Sequence, residues 1–283
     1  LKVSEAISEF QKVLKDEPGR FDVRYFLAQA HLLAGDLQLS KNELTEVLKV
    51  APNSTDARAS LAEVYFRLHS YDEAVSEAKK VIAIQPDNQK AKRVLGDAYV
   101  GKRDINSALS QYKELVRLSP NDPLGHFRLG TIYRAQKKYP DAMSEFEKAI
   151  SLNPQLIQPL AHIMGILIEQ GGADKAIERA NKQLTASQNN PLIYNLIGKA
   201  YLVKKDEKKA EEYFNKSIEK DKNTLASYMD LGALYARSKT YDKAIARFEE
   251  AIKVNPNYLQ PYMLIGIIYD SQKNHDKAKE YYE

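Results

Sequence analysis

Two amphipathic helices joined by a short turn are the structural unit that the hydrophobic pattern of this chain predicts. In one stretch, Leu231, Gly232 and Tyr235 follow Tyr228 at the i+3, i+4 and i+7 positions that form one face of a helix. A second stripe with helical spacing comes next and consists of Tyr241, Ala244, Phe248, Ala251 and Ile252. Because the turns between such stripes are short, we expect the two helices of each pair to be antiparallel.

The pattern recurs every 34 residues along the whole chain. One proline series has this spacing and comprises Pro18, Pro52, Pro86, Pro120, Pro154 and Pro256, with Gln188 and Lys222 where proline is absent. A glycine series comprises Gly96, Gly130, Gly198, Gly232 and Gly266, and a tyrosine series comprises Tyr65, Tyr99, Tyr133, Tyr201, Tyr235 and Tyr269. A fixed period of this length indicates stacked repeats that share one core.

The repeats divide the chain into seven complete units between two partial ones. With position 1 at Phe21, the complete units are residues 21–54, 55–88, 89–122, 123–156, 157–190, 191–224 and 225–258, and the partial units are residues 1–20 and 259–283. We expect a single array, because the period is uninterrupted. Both ends fall inside a unit, so we also expect the sequence to be a fragment of a longer array, with apolar faces left open at its ends.

Proline and glycine have separate roles within each unit. Proline at position 32 ends the second helix, because it cannot continue the hydrogen-bond ladder. Glycine at position 8, inside the first helix, costs about 1 kcal/mol relative to alanine. Such a cost is tolerated where another backbone comes close, so we expect tight packing there, with the small residue at position 20 as partner at the helix crossing.

These features resemble the tetratricopeptide repeat family, whose 34-residue helix–turn–helix unit has a bulky residue, Leu, Gly, Tyr, Ala, an aromatic residue and Pro at set positions. The usual tryptophan at position 4 is replaced throughout, for example by Arg24, His126 and Tyr228. The resemblance implies an all-α fold without strands, an α-solenoid of antiparallel helix pairs stacked as a right-handed superhelix. It also implies a non-enzymatic scaffold for protein–protein interaction, and lysine-rich arrays without tryptophan are similar to bacterial ones.

The unit at residues 157–190 departs from this pattern. Five of its positions hold Met164, Leu167, Ala180, Gln183 and Gln188 in place of Gly, Tyr, an aromatic residue, an apolar residue and Pro. We therefore expect looser packing or a change of curvature in this unit.

Composition and charge exclude several other classes of protein. The chain is 43% hydrophobic and 28% charged, and its net charge of +4 argues against nucleic-acid binding through bulk charge. It has no cysteine, which excludes a disulfide scaffold, a zinc finger and a thiol nucleophile. Its longest apolar run, residues 160–168, is far shorter than the ~20 residues that span a bilayer, and no signal-peptide pattern opens the sequence. The bacterial cytoplasm and periplasm are both compatible with these features.

No group of catalytic or metal-binding residues is evident in the sequence. It contains no phosphate-binding glycine loop, and no two of its five histidines have the i, i+4 spacing of a metal pair. We therefore predict no catalytic residue, no cofactor and no metal. Lysines at the turns, such as Lys102, Lys204 and Lys239, are attributed to solvation and to the helix C-termini rather than to a nucleic-acid groove.

The face of the first helix opposite its buried stripe is the candidate binding surface. In proteins that this chain resembles, that face lines a concave groove for an extended peptide or a partner's helix. The predicted groove residues are Tyr25, Lys90, Arg93, Phe127, Arg128, Arg134, Asn195, Lys199, Met229, Met263 and Ile267. Along the array the face changes from acidic, through basic around an aromatic residue, to largely apolar. Exposed Met-rich surface favours a partner, and the alternative is that these side chains pack against neighbouring units.

Three functional hypotheses follow from these features. The first is a scaffold whose groove binds a peptide or helix of a partner protein, with no nucleic-acid partner and no direct insertion into a membrane. The second is self-assembly into a homo-oligomer through the open ends. The third is the regulatory or targeting arm of a larger enzyme or assembly complex. We predict no carboxylate clamp of the chaperone-adaptor type, because Asn195 and Lys199 reverse its first pair and no three successive units supply it.

Overall fold

The computed structural model describes residues 3–187 and 189–283, and these residues form α-helices and no strand. The first helices of the repeats, here called A helices, are α2 (Phe21–Ala34), α4 (Thr55–Arg67), α6 (Gln89–Gly101), α8 (Pro123–Ala135), α10 (Ile157–Glu169), α12 (Pro191–Val203), α14 (Leu225–Arg237) and α16 (Leu259–Ser271). The second helices, here called B helices, are α1 (Val3–Asp16), α3 (Leu37–Val50), α5 (Tyr71–Ile84), α7 (Ile105–Leu118), α9 (Tyr139–Leu152), α11 (Ala173–Ala186), α13 (Glu207–Lys220), α15 (Tyr241–Val254) and α17 (His275–Tyr282). The all-α prediction is confirmed, and Gln188 of the proline series lies outside the described residues.

The chain forms two compact bodies, Leu1–Glu145 and Phe146–Glu283, which we call the N-terminal body and the C-terminal body. Within each body, consecutive helices pack against one another. The A helices of neighbouring repeats also touch, as α4 touches α6 and α12 touches α14. The A helices of a body therefore lie side by side, and we call their exposed surface the A face.

A polar side chain replaces the missing backbone partner in the first turn of the A helices α4, α6, α8 and α12. The Asn88 Oδ1 accepts a hydrogen bond from the Ala91 N–H at 2.9 Å, and the Asp122 carboxylate accepts from the Leu124 N–H at 3.0 Å. These side chains satisfy N–H groups that have no carbonyl partner within the helix. The sequence thus sets the start of these helices locally.

The turn after each A helix places the residue at position 15 in the left-handed region. Two of these residues are Gly35 (φ 90°) and Gly171 (φ 77°), and the other six are His69, Arg103, Lys137, Lys205, Lys239 and Lys273, with φ between 56° and 63°. The N–H of the following residue then reaches the carbonyl at position 11, as from Asp206 to Tyr201 at 3.0 Å. This hydrogen bond closes the C-terminus of the A helix and directs the chain into the B helix.

The glycines at position 8 are required by an aromatic ring of the same repeat. A Cβ atom on Gly232 would lie 2.5 Å from Cε1 of Phe248, and one on Gly198 would lie 2.6 Å from Cε1 of Phe214. The group that comes close to the glycine is thus the aromatic ring at position 24. The sequence had suggested the backbone of another helix instead. The tight packing that was expected at this position is present.

The irregular repeat at residues 157–190 compensates for its departures within the core. Met164 replaces the glycine at position 8, Ala180 replaces the aromatic ring at position 24, and both are fully buried. Gln183 is buried, and its Nε2 donates to the Pro154 carbonyl and to Ser187 Oγ, each at 2.9 Å. The looser packing or change of curvature expected for this unit stays a prediction.

Candidate functional site

On the A face of the N-terminal body, acidic and basic side chains neutralise one another. The Glu63 carboxylate lies 3.4 Å from Lys90 Nζ and 3.2 Å from Arg93 Nη2. The Asp97 carboxylate lies 3.3 Å from Arg93 Nη1 and accepts a hydrogen bond from Arg128 Nε at 3.2 Å. The basic middle region expected from the sequence is therefore corrected to a region of mixed charge.

Asp97 also accepts a hydrogen bond from a buried tyrosine. The Tyr112 hydroxyl donates to Asp97 Oδ1 at 2.6 Å. Burial and then the negative charge of Asp97 raise the pKa of the Tyr112 hydroxyl well above its ordinary value. The hydroxyl therefore stays a donor and holds Asp97 between the two arginines. The adjacent cleft, lined in part by Lys90, Arg93 and Arg128, measures only about 170 Å³.

The other predicted groove residues of the N-terminal body are half-buried on A helices. Tyr25 packs against the core cluster that contains Leu44 and Leu61. Phe127 and Arg134 lie on α8. For Tyr25, contact with the core supports the alternative that groove side chains pack against neighbouring units.

The A face of the C-terminal body carries three larger clefts. A cleft of about 310 Å³ has lining residues from α10 and α12, which include Ile157 and Leu196. A second, of about 460 Å³, lies at the N-terminal ends of α12 and α14 and includes Pro191. The third, of about 520 Å³, has lining residues from α14 and α16, which include Met229 and Leu264.

Shared lining residues place these three clefts next to one another. Asn190 and Leu192 line both the first and the second cleft. Leu225 and Ala226 line both the second and the third. We call the combined surface the trough.

Asn195 and Lys199, which the sequence placed in the groove, line the trough and belong to a polar network there. Asn195 is buried, and its Nδ2 donates to Ser227 Oγ at 3.1 Å and to Asp230 Oδ2 at 2.8 Å. Lys199 Nζ lies 3.1 Å from the same Asp230 oxygen. Both amide hydrogens of Asn195 are therefore used in joining α12 to α14, and its role is structural.

The predicted apolar groove residues differ in exposure. Met229 lines the third cleft and packs against the core cluster that contains Phe248 and Ile265. Met263 and Ile267 on α16 are 57% and 54% exposed.

Sequence reasoning missed several residues that line the trough. Tyr258 lies immediately before α16 and Gln260 in its first turn, and both line the third cleft. Asn223, in the loop before α14, lines the second. These residues lie in or beside the loops that precede the A helices. Helical periodicity does not predict which surface a side chain in a loop faces. The 34-residue period was the available signal, because Asn190 and Tyr258 occupy equivalent positions.

Two kinds of feature are not found in residues 3–187 and 189–283. None of the helices there combines the length and apolar character needed to cross a membrane. No group of three or more histidine or carboxylate side chains is arranged to hold a metal ion in that part of the chain.

Family models described as tetratricopeptide repeat match residues 2–64, 32–97, 93–157, 192–224, 225–258 and 259–283. The chain belongs to the tetratricopeptide repeat family. The interval between these matches, residues 158–191, contains most of the irregular repeat. Tetratricopeptide repeats mediate protein–protein interactions and are generally non-catalytic, so this array is a protein-interaction module.

Solved structures of tetratricopeptide repeat proteins share the fold. A repeat protein from Parabacteroides merdae is 15% identical with a TM-score of 0.65, over 88% of this chain and 98% of that one. A chain of the APC/C hetero-tetramer Cut9–Hcn1 is 17% identical with a TM-score of 0.50, over 98% of this chain and 54% of that one. Pseudomonas aeruginosa pilF is 19% identical with a TM-score of 0.50, over 68% of this chain and 88% of that one. No curated protein sequence matches the chain.

Proposed function

We propose that this array is a non-enzymatic scaffold that binds an extended segment of a partner protein in the trough of the C-terminal body. The adjacency of the three clefts carries the proposal, because a single bound segment that follows them can contact α10, α12, α14 and α16 in turn. The A face of the N-terminal body supports it by contrast, since ion pairs between neighbouring A helices occupy that face.

The trough suits a segment that is mainly apolar and uncharged. Its floor and rim present Leu192, Leu225 and Met229, and Lys199 and Asp230 neutralise each other. Neighbouring helix axes are about 8–10 Å apart, and an extended chain advances about 3.3–3.6 Å per residue. About three residues of the partner therefore correspond to each repeat.

Two exposed alanines allow the trough to be filled without disturbing the core. Ala226 and Ala233 line the trough and are exposed on α14. Arginine at both positions would occupy the space of the ligand, and arginine is a good helix former. Ala186→Arg, at an exposed position on the B helix α11, is the matched control.

The test uses peptides selected from a random 12-residue display library against the wild-type protein. We expect the selected peptides to bind Ala226→Arg/Ala233→Arg at least tenfold more weakly, and Ala186→Arg as tightly as the wild type, by fluorescence polarisation. Circular dichroism checks that both variants are folded. Unchanged affinity for the trough variant would reject the trough as the site, and failure to enrich any peptide would reject peptide binding.

A further inference from the structure

The A-to-B turns of the C-terminal body form a second surface, in which positive charge is concentrated. Residues 203–209, 237–243 and 271–277 contain nine lysines and arginines and four carboxylates. This excess of five positive charges is larger than the net charge of +4 of the whole 283-residue chain. The turn of the preceding repeat, residues 169–175, has one lysine and two carboxylates. The turns at residues 203–209 and 237–243 each carry an excess of two positive charges, whereas the turns at residues 101–107, 135–141 and 271–277 each carry an excess of one.

One lysine of each turn lies at the left-handed position. Lys205, Lys239 and Lys273 have φ values of 60°, 56° and 61°, and all three are exposed. No side-chain hydrogen bond or salt bridge to them occurs within the described part of the chain. Glycine occupies the same position at Gly35 and Gly171 and fits this backbone better. Lysine at this position is therefore less stable than glycine would be. The favourable interaction of its charge with the helix C-terminus offsets this difference only in part.

A second lysine of each turn is held over a tyrosine ring of its own repeat. The distances from Nζ to the ring centroid are 5.2 Å for Lys209 on Tyr201, 5.3 Å for Lys243 on Tyr235 and 5.2 Å for Lys277 on Tyr269. Such cation–π contacts restrict flexible side chains. A ligand therefore meets charges that are already positioned, which reduces the entropy lost on binding.

One contact joins two of these turns, and two of the four carboxylates are already engaged. Arg237 Nη2 donates to Glu207 Oε1 at 2.7 Å, which joins the turn after α14 to the start of α13. Asp206 caps α13 by accepting from the Lys209 N–H at 3.1 Å. Since neighbouring A helices are about 8–10 Å apart, the lysines of the three turns form a row that repeats at about that interval.

We propose that this lysine edge, formed by Lys205, Lys209, Lys239, Lys243, Lys273 and Lys277, binds an acidic segment of a polypeptide. An extended chain covers 8–10 Å in about three residues, so carboxylates at every third residue match the row. Single-stranded nucleic acid is disfavoured, because its bases need open aromatic faces for stacking, and the lysines already cover the tyrosine faces at Tyr201, Tyr235 and Tyr269.

The test measures binding of a fluorescein-labelled (Glu-Gly-Ser)6 peptide at low salt, with (Gln-Gly-Ser)6 as the uncharged control. The edge variant is Lys205→Gly/Lys239→Gly/Lys273→Gly, which removes charge while relieving the left-handed strain. The matched control is Lys182→Gln/Lys220→Gln/Lys222→Gln, three exposed lysines outside these turns. An exposed ion pair changes affinity by about two- to fivefold, so we expect at least tenfold weaker binding in the edge variant. Its thermal midpoint should not fall.

Several results would overturn the proposal. These are equal binding of the Glu and Gln peptides, an equal loss of affinity in the control variant, and no loss in the edge variant. Tighter binding of an 18-residue oligo-dT, or of vesicles containing phosphatidylserine, than of the Glu peptide would assign the edge to another polyanion and reject the acidic polypeptide. The Ala226→Arg/Ala233→Arg protein should bind the Glu peptide normally, so failure of the trough proposal leaves this test intact.

Discussion

The Nδ1 atom of His126 lies 2.6 Å from Oε2 of Glu145, and the opposite ring nitrogen lies 2.8 Å from the Pro120 carbonyl. The same contacts are made by arginine in earlier repeats, where Arg24 donates to Glu43 at 2.7 Å and Arg58 donates to Glu77. Both ring nitrogens of His126 are thus engaged, just as two guanidinium nitrogens of Arg24 are engaged by Glu43 and by the Pro18 carbonyl. His126 thus takes the place of an arginine that joins the A and B helices of a repeat.

Arginine should therefore replace His126 with little loss, and leucine should not. We expect His126→Arg to change the free energy of unfolding by less than about 1 kcal/mol. His126→Leu should lower it by about 1–3 kcal/mol, because Glu145 loses its partner in a partly buried site. Urea denaturation measures both. The His126→Leu/Glu145→Leu pair should recover part of the loss, and equal stability of the Arg and Leu variants would contradict this account.

Alanine at two glycines of A helices should have opposite effects. At Gly232 a new Cβ would lie 2.5 Å from the Phe248 ring, so Gly232→Ala should destabilise the protein by about 1–3 kcal/mol through overpacking. At Gly125 the nearest atoms lie at 3.6 Å, so the better helix propensity of alanine should stabilise by about 0.5–1 kcal/mol. Thermal denaturation gives both signs. A stabilising Gly232→Ala would show that the ring moves aside without cost.

The left-handed residue of each turn should show a preference for glycine. No atom lies within 4 Å of a Cβ added to Gly171, so Gly171→Ala tests the backbone alone, and we expect a loss of about 1 kcal/mol. Lys239→Gly should give a gain of similar size, reduced by the lost interaction with the helix C-terminus. Equal unfolding midpoints for these variants and the wild type would contradict the assignment of strain to this position.

Alkaline pH should weaken the C-terminal body through the half-buried phenol of Tyr235. Burial, followed by a hydrogen bond to Glu211, raises the pKa of Tyr235 from 10.0 to about 12. The folded state thus holds this proton more tightly than the unfolded state, so the contribution to stability is complete below pH 10 and declines as the pH rises toward 12. Urea midpoints at pH 9 and pH 11.5 should differ less in Tyr235→Phe than in the wild type. An equal difference would contradict the contribution of Tyr235.

The helix boundaries could be predicted from local sequence, whereas the pairing of charges on the A face could not. Prolines such as Pro154 and caps such as Asn88 act on the nearest few residues, so their effect is visible in the sequence. Glu63 instead meets Arg93, and Asp97 meets Arg128, each on the A helix of the next repeat. Helical periodicity predicts that these residues lie on the exposed face. It does not predict which residue of another helix each of them pairs with.

The sequence alone determined the period, the succession of helix pairs and the family, because helix propensity, capping and hydrophobic spacing act over a few residues and repeat in every unit. Only the tertiary structure decided that an aromatic ring requires the glycines at position 8, that Asn195 is a buried link, and that three clefts on the C-terminal body lie next to one another. These features depend on how side chains from the two helices of a repeat, and from neighbouring repeats, fill the space between helices. That filling is set by the volumes of residues far apart in the sequence and by the distances between them, which no local pattern encodes.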